Sequence, residues 1–437
     1  MELEKYKLGE MLDVTRGASL SGEFYATEGK YIRLTCGNFD YQNNCFKENK
    51  SKDNLYYIGD FKPEFLMEEG DIITPLTEQA IGLLGSTAII PESGKYIQSQ
   101  DVAKIICKEE LLDKDFAFYL ISSTLVKQQL SAAAQQTKIR HTSPDKIRDC
   151  TVWIPELTEQ KRIGKLLRSL DRKIELNRAI NQNLAAMAKQ LYDYWFVQFD
   201  FPNKDSKPYK SSGGEMLWNE KLKRNIPIGW NNGTLIDIAN ITMGQSPDGT
   251  SYNEIGEGVL FYQGSTDFGM RFPSVRQYTT APSRFAKKGD ILMSVRAPVG
   301  AVNIANNDCC IGRGLSALNS KIGSTTHLYY ILNDLRIAFD QRNAAGTTFG
   351  SITKEDLYNL PIVIPAKEVI SAFDKICSPM FDRQMLLGEE IDTLIKQRDE
   401  LLPLLLNGQV LVNSDLSVYK KRRGKVPSSI LNDVSDI

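Results

Sequence analysis

The sequence has few of the residues and motifs on which enzymes depend. It contains only two histidines, His141 and His327, and no HExxH, Gly-x-Ser-x-Gly or GxxxxGK[ST] pattern. It also lacks the Asn/Asp-Pro-Pro-aromatic run of amino-methyltransferases, and it has no Gly-x-Gly turn that opens a helix for S-adenosylmethionine. We therefore expect no catalytic residue, no metal and no cofactor.

One nuclease pattern occurs only loosely, as Pro144-Asp145 followed by Glu159-Gln160-Lys161, which approximates PD…ExK. The carboxylates of such a site must converge on Mg²⁺. Glu159 and Lys161 are two residues apart in the first turn of a predicted helix, so they point away from each other. We reject the nuclease interpretation.

Cysteine pairing and membrane-spanning segments are missing as well. The seven cysteines form an odd set without a CxxC pair, which argues against a disulfide framework or a zinc site, and we expect them reduced and mostly buried. No apolar run is long enough to span a bilayer, and the N-terminus lacks the pattern of a signal peptide. These absences predict a cytoplasmic protein with no membrane partner.

A basic excess is also absent, because the formal net charge is −1. A protein that grips DNA phosphates alone is usually clearly basic, so a partner must share the electrostatic work if DNA is the ligand. Two local basic clusters leave DNA contact and solvated linker charge open as alternatives. They comprise Lys204, Lys207, Lys210, Lys221, Lys223 and Arg224, and Lys420, Lys421, Arg422, Arg423 and Lys425.

What the sequence does contain is an internal repeat. Val14-Thr15-Arg16-Gly17 returns as Ile241-Thr242-Met243-Gly244, Glu69-Gly70-Asp71-Ile72-Ile73 as Lys288-Gly289-Asp290-Ile291-Leu292, Ala80-Ile81-Gly82 as Pro298-Val299-Gly300, and Val152-Trp153-Ile154-Pro155 as Ile362-Val363-Ile364-Pro365. The matches keep their order, and their offset falls smoothly from about 227 to about 210 residues. A common scaffold that carries different loops explains this pattern.

Each copy has the pattern of a mixed α/β domain, with short β-branched runs bounded by Gly and Pro and helical stretches between them. We predict strands at 71–74, 87–90, 103–107, 290–295 and 301–304, and helices at 115–130 and 326–342. Gly70 and Gly289 precede strands at turns that need a positive φ.

A long helix is predicted after each of Pro155 and Pro365, where a proline suits the first turn. Apolar residues recur there at alternating spacings of four and three, which is a heptad seam. The seam residues are Leu167, Leu170, Ile174, Asn177, Asn181 and Leu184, and Gln384, Leu387, Ile391 and Leu394. We predict an antiparallel coiled coil with approximate two-fold symmetry, in which roughly 40 residues span about 60 Å.

Some residues depart from this helical pattern. The amides of Asn177, Asn181 and Gln384 favour a role in setting register over contact with solvent or a partner. Pro379 and Pro403 predict a bend or split near Cys377 and fraying near the end of the second helix. For the aromatic cluster Tyr192, Tyr194, Trp195 and Phe196, packing against the adjacent domain is favoured over a partner surface.

Two loops, at 134–143 and 342–351, carry groups suited to DNA. Arg can fork to guanine, Gln and Asn can pair with adenine, and Ser and Thr can hold phosphates, although a plain polar loop has the same composition. The candidates are Gln135, Gln136, Lys138 and Arg140, and Arg342, Asn343, Thr347, Thr348 and Ser351, with Thr77, Gln79 and Arg296 as secondary candidates after the two Gly-Asp strands.

The whole pattern resembles the specificity subunit of Type I restriction-modification systems over about residues 5 to 410. The resemblance lies in the two aliphatic-Pro strand exits, the helix start Leu157-Thr158-Glu159-Gln160-Lys161-Arg162-Ile163 and the closing Leu401-Leu402-Pro403-Leu404-Leu405-Leu406-Asn407-Gly408-Gln409. The second helix departs mildly, because it begins Ala366-Lys367-Glu368-Val369 and carries Pro379.

The resemblance implies an α+β fold with two mixed α/β target-recognition domains in tandem, each followed by a long helix. We expect the domains at 1–155 and 231–365, spacer helices at 156–200 and 366–410, a linker at 201–230 and a polar basic tail at 411–437.

The resemblance further implies that each domain reads one half of a split, asymmetric sequence in double-stranded DNA. The helices would separate the half-sites and dock two methyltransferase (M) subunits, which two restriction (R) subunits can join. Adenine methylation and ATP-dependent cleavage would belong to these partners, so this chain would not be an enzyme. Two alternatives stay open: a self-contained DNA-modifying or DNA-cleaving enzyme, and a coiled-coil adaptor without DNA specificity.

Overall fold

The computed structural model describes residues 2–50, 53–78, 82–133, 140–344 and 350–412. Its contacts divide the chain into two compact units. Unit 1 comprises Met1–Lys173 and Leu394–Ile437, and unit 2 comprises Ile174–Thr393. Both long helices contribute residues to both units. The domain boundaries expected from the repeat divide the chain differently, and they stay predictions.

Unit 1 contains the first copy of the repeat. Its strands are β1 (Glu4–Lys7), β2 (Leu12–Arg16), β3 (Tyr25–Ala26), β4 (Tyr31–Arg33), β5 (Phe39–Asp40), β6 (Cys45–Phe46), β7 (Tyr56–Tyr57), β8 (Ile72–Pro75), β9 (Thr77–Glu78), β10 (Ala88–Ile89), β11 (Tyr96–Ile97), β12 (Val102–Cys107), β13 (Arg140–His141) and β14 (Thr151–Ile154). Its helices are α1 (Leu8–Met11), α2 (Lys114–Ile121), α3 (Thr124–Ala133), α4 (Pro144–Arg148) and the start of α5 (Leu157–Tyr192).

Unit 2 contains the second copy. Its strands are β15 (Met216–Asn219), β16 (Arg224–Pro227), β17 (Asn231–Thr234), β18 (Ala239–Met243), β19 (Tyr252–Asn253), β20 (Val259–Tyr262), β21 (Gln277–Thr279), β22 (Phe285–Ala286), β23 (Ile291–Ser294), β24 (Val302–Ile304), β25 (Cys309–Ile311), β26 (Leu315–Ser320) and β27 (Pro361–Ile364). Its helices are α6 (Leu235–Ile238), α7 (Thr325–Ala344), α8 (Lys354–Tyr358) and most of α9 (Lys367–Leu406).

The two copies share one sheet topology, which confirms the repeat. The central sheet has the order β10-β8-β12-β2 in unit 1 and β24-β23-β26-β18 in unit 2. A second sheet has the order β11-β4-β7-β3 in unit 1, and its counterpart β25-β20-β21-β19 adds β22 at the edge. β1 pairs with β14 in unit 1, and β17 pairs with β27 in unit 2, where the hairpin of β15 and β16 precedes the second copy.

The central sheets are buried on both faces, which explains their apolar runs. In β8, Ile72 belongs to the core that contains α2, whereas its neighbour Ile73 belongs to a separate core with Leu34. In β23, Ile291 and Leu292 are divided in the same way between two cores. Side chains alternate across a strand, so each strand contributes to both.

The predicted strands are confirmed within about a residue or two, and Gly70 and Gly289 have φ values of 86° and 91°. The single helix expected at 115–130 is wrong, because the chain forms α2 and α3 there. The Ser122 hydroxyl donates to the Phe118 carbonyl at 3.1 Å, and Ser123 Oγ accepts from the backbone N–H of Val126 at 3.4 Å. The first of these bonds satisfies a carbonyl at the end of α2, and the second caps the start of α3.

Within each unit the long helices run antiparallel, as predicted. In unit 1, Ile163 and Leu167 share a core with Leu405 and Leu406, while the Asp171 side chain bonds to that of Arg398. In unit 2, Asn181 bonds to Gln384, and the rings of Tyr192 and Phe373 lie 6.2 Å apart. As α5 advances in each unit, its partners therefore come from earlier positions in α9.

The expected split of the second helix near Pro379 is wrong, because α9 is continuous from Lys367 to Leu406. Pro379 and Pro403 lie on the exposed side of the helix. Cys377 and Phe381, on either side of Pro379, are buried in the unit 2 core. This packing offsets the hydrogen bond that the proline removes.

The aromatic cluster at the end of α5 packs inward rather than forming a surface. Tyr192, Trp195 and Phe196 are buried in the unit 2 core, and Tyr194 is 37% exposed. Residues Asp193–Val197 continue α5 as a π-helical turn. Among the described residues, no helix is long and apolar enough to cross a membrane.

Candidate nucleic-acid interface

In unit 1, two short strands, β9 and β13, connect the two segments that are predicted to contact DNA. β9 follows the central strand β8, and β13 follows residues 134–139. They pair antiparallel, with Arg140 opposite Glu78 and His141 opposite Thr77. The backbone N–H of Thr142 extends the pairing by donating to the Leu76 carbonyl at 2.9 Å. The structure thus brings the secondary candidate segment beside the main one.

Unit 2 repeats this junction at the corresponding place. Arg296 forms an isolated antiparallel bridge with Ser351, and both residues are exposed. The backbone N–H of Ile352 donates to the Val295 carbonyl at 2.9 Å, which is the counterpart of the bond from Thr142 to Leu76 in unit 1. Arg296 follows a Gly-Asp strand and Ser351 belongs to the second loop, and the fold places them together.

Several predicted DNA contacts lie outside the described residues. The structure places the backbone of Arg342 and Asn343 in the last turn of α7, and their side chains are not described. The others outside the described ranges are Gln79, Gln135, Gln136, Lys138, Thr347 and Thr348. All of these residues stay predictions.

Thr77 does not face solvent. It is 9% exposed, and its Oγ1 lies 2.9 Å from Cys36 Sγ, which also donates to the Thr77 carbonyl. Burial raises the pKa of the Cys36 thiol, so this cysteine stays protonated. Thr77 therefore supports the end of β9 rather than offering its hydroxyl to a ligand.

Glu78 is the middle residue of the secondary candidate segment Thr77-Glu78-Gln79, and residue type alone assigns no role to its carboxylate. The structure buries Glu78 at 6% exposure and places its carboxylate 3.6 Å from the Arg140 guanidinium. The sequence feature that could have indicated its role is Arg140 on the opposite segment. That feature is informative only once the two segments are known to pair.

The seam residues of unit 2 include a reciprocal amide contact. Asn181 Nδ2 donates to the Gln384 carbonyl at 3.0 Å, and Gln384 Nε2 donates to the Asn181 carbonyl at 3.2 Å. These side chains and that of Asn177 are buried. Ile174, Leu387 and Ile391 are buried beside them, whereas Leu184 is half-buried. The amides of Asn181 and Gln384 therefore each bond to the backbone of the facing helix.

The seam of unit 1 contains a buried ion pair that the heptad pattern did not reveal. Leu167 is buried, but Leu170 and Leu394 are only half-buried, and Asp171 takes the inner position. Arg398 Nη1 donates to Asp171 Oδ1 at 2.9 Å, and the Tyr119 hydroxyl donates to Asp171 Oδ2 at 2.5 Å. Burial, and then the Asp171 carboxylate, raise the pKa of Tyr119.

The described residues include no group of His, Cys, Asp and Glu that could hold a metal ion. Asp145 lies on α4 and pairs with Arg148, whereas Glu159 lies on α5 and pairs with Arg162. Each carboxylate thus has a local arginine partner. The exposed side chains at the two junctions are polar or cationic and include Arg140, His141, Arg296 and Ser351.

Residues 1–186 and 227–376 match the Type I restriction modification DNA specificity domain. The chain belongs to this DNA specificity family. Family members recognise DNA sequence, so the exposed junctions of this specificity chain lie in domains of the kind that reads DNA. The match covers both copies of the repeat.

Individual relatives agree with the family assignment. The chain is 29% identical over 379 residues to the putative type I restriction enzyme MjaX specificity subunit of Methanocaldococcus jannaschii, covering 82% of this chain and 84% of that protein. It is 23% identical over 384 residues to the HindI specificity subunit of Haemophilus influenzae, covering 73% and 81%.

A solved structure shows the same fold. The Type-I restriction-modification system S subunit from M. genitalium has a TM-score of 0.59 and 16% identity, and the comparison covers 95% of this chain and 97% of that one. This likeness supports the α+β architecture of the specificity chain.

Proposed function

We propose that this chain is the DNA-reading subunit of a Type I restriction-modification complex and that each copy of the repeat reads one half of a bipartite, asymmetric target. The observation that carries the proposal is the strand junction found at the same place in both units. Its backbone bonds are alike, but its exposed side chains differ: Arg140 and His141 in unit 1, and Arg296 and Ser351 in unit 2. Equal scaffolds with different side chains suit two different half-sites.

The exposed arginines are the strongest candidates for contact with DNA. The Arg140 side chain is 41% exposed, and Arg296 is exposed. A guanidinium can fork to guanine or hold a phosphate. Gln79, Gln135, Gln136, Lys138, Arg342, Asn343, Thr347, Thr348 and Ser351 complete the proposed contact set.

Adenine methylation and ATP-dependent cleavage fall to other subunits in this proposal. The two long helices set the spacing of the half-sites and dock two methyltransferase subunits, with two restriction subunits as further partners. A net charge of −1 supports such sharing, since a single chain of that charge has little means of holding many phosphates. The complex acts in the cytoplasm, with the DNA that it reads.

The test uses the full chain assembled with its methyltransferase partner. Methylated adenines mapped in exposed DNA give the target, and binding is then measured to duplexes in which one half-site is scrambled. Arg342, Thr347 and Thr348 changed together to alanine should weaken binding at one half-site by roughly tenfold or more, because each lost base contact costs about 1–3 kcal/mol.

Lys287→Ala provides the control, because it removes an exposed charge from unit 2, outside both the loop and the long helices. It should leave the preference for both half-sites intact. Unchanged affinity and an unchanged methylation pattern in the triple variant would remove the second loop from the proposed interface.

A further inference from the structure

Glu78 is a buried carboxylate at the junction of the two candidate segments of unit 1. Its side chain is only 5% exposed. It ends β9 and directly precedes residues 79–81. Its strand partner Arg140 directly follows residues 134–139. One side chain therefore lies where both segments join the scaffold.

One carboxylate oxygen holds the turn that follows residues 79–81. Glu78 Oε1 accepts a hydrogen bond from the backbone N–H of Gly82 at 2.8 Å, and the N–H of Leu84 lies 3.5 Å from the same oxygen. Gly82 has a φ of 93°, a conformation that other residues rarely adopt. This oxygen needs only to accept, so a neutral amide can replace it.

The other oxygen faces Arg140. Glu78 Oε2 is buried and has no hydrogen-bond partner among the described residues, and it lies 3.6 Å from Arg140 Nη1. That same nitrogen donates to Ser131 Oγ on α3 at 3.0 Å. A buried carboxylate is costly without a neighbouring cation, so Glu78 favours a position of Arg140 beside it. Glu78 and Ser131 thus hold one edge of the guanidinium, while the Arg140 side chain stays 41% exposed.

Unit 2 builds its junction without a carboxylate. The position of Glu78 is taken by Ala297, whose backbone N–H donates to the Gly350 carbonyl at 3.1 Å. In the described residues, backbone bonds close the second junction, and the Ser294 hydroxyl holds the turn after it by accepting from the Ala301 N–H at 3.0 Å. The arrangement around Glu78 is specific to unit 1.

We infer that Glu78 is a positioning residue for the half-site read by unit 1. It holds the Arg140 guanidinium in the orientation that contacts DNA and does not touch DNA itself. This inference rests on the proposed function. It assigns Glu78 a role in specificity that its negative charge would otherwise argue against.

Glu78→Gln separates the two roles of the side chain, because its amide oxygen can still accept from Gly82 while the charge facing Arg140 is lost. In the assembled complex, we expect roughly tenfold weaker binding to the full target and reduced discrimination at one half-site, with the other unaffected. Arg140→Ala should impair the same half-site. The double variant should lose no more binding affinity than the more impaired of the two single variants, because the two residues act as a unit.

Glu92→Gln is the matched control, because Glu92 is an exposed carboxylate of unit 1 paired with Lys95; it should change nothing. Additive losses in the double variant, equal losses at both half-sites, or undiminished discrimination in Glu78→Gln would each overturn the inference. The proposed function has a separate test: if replacing residues 134–139 as a block leaves both half-sites readable, unit 1 does not read DNA through that loop.

Discussion

At the scale of single residues, burial decides how His327 responds to acid. It is 1% exposed, its ring lies 4.6 Å from that of Phe196, and desolvation lowers its pKa to about 4. In an unfolded chain the pKa of histidine is about 6.5. The folded state therefore excludes a proton that the unfolded state accepts as the pH falls through this interval.

The sign of the effect follows from linkage. The contribution of neutral His327 to the stability of unit 2 is complete above about pH 6.5 and is lost as the pH falls towards about 4. We expect unit 2 to lose about 2 kcal/mol between about pH 8 and about pH 5 through this group alone. His327→Phe, which introduces the residue type that Phe116 has at the matching place in unit 1, should remove that loss.

Urea unfolding at both pH values, monitored by hydrogen exchange in α7, measures the change in the free energy of unfolding. His141→Phe is the control, because His141 is exposed, and it should keep the wild-type dependence. An acid sensitivity that is equal in the wild type and in His327→Phe would contradict the assignment.

Single residues also show which parts of the candidate site could be predicted from the sequence and which could not. Arg140, Arg296 and Ser351 were chosen by residue type, and the fold then placed them at matching junctions. Glu78 and Asp171 escaped notice because each is a carboxylate whose role depends on a distant arginine. The pairs Glu78–Arg140 and Asp171–Arg398 become visible only after strand pairing and helix packing are known.

At the scale of elements, sequence patterns predicted both long helices and five strands, whereas the short strands of the second sheets were not predicted. The heptad spacing gave both long helices, and the Gly-Asp turns located β8 and β23. The break at Ser122 and Ser123 could not be foreseen, because it depends on local side-chain bonds that compete with the helix. The continuity of α9 through Pro379 depends on packing that no local pattern reports.

The amide contact between α5 and α9 makes an element-scale prediction. Asn181 and Gln384 are buried, and Gln384 Oε1 lacks a hydrogen-bond partner among the described residues. Leucine at both positions should raise the urea midpoint of unit 2, because apolar seams are more stable than polar ones, while weakening the preference for one register. Light scattering should then detect oligomeric states that the wild-type protein does not form.

Asn183→Leu, an exposed change on the same helix, is the control and should alter neither property. A double variant that is less stable than the wild type would contradict the expected stabilisation. One that is more stable yet keeps the wild-type oligomeric state and DNA target would show that the amides do not set the register.

At the scale of the whole molecule, the repeat allows one chain to present two different reading surfaces. The two copies share sheet order and the backbone bonds of the junction, yet different side chains support it, Glu78 in unit 1 and Ser294 in unit 2. One copy can therefore change its side chains without altering the other. In the proposed function, the long helices set the spacing between the half-sites.

That dependence can be measured by lengthening the helices. One turn inserted between Leu170 and Leu184 of α5, with a matching turn between Gln384 and Leu394 of α9, adds about 5.4 Å of helix. Base pairs rise about 3.4 Å each, so the unspecified spacer of the target should grow by about one or two base pairs while both half-sites stay the same. Methylation mapping of the assembled complex reads out the new spacer. A turn inserted into α5 alone mispairs Asn181 with the facing helix and should reduce stability instead. Retained methylation of the original spacer by the doubly lengthened chain would show that the helices do not set this distance.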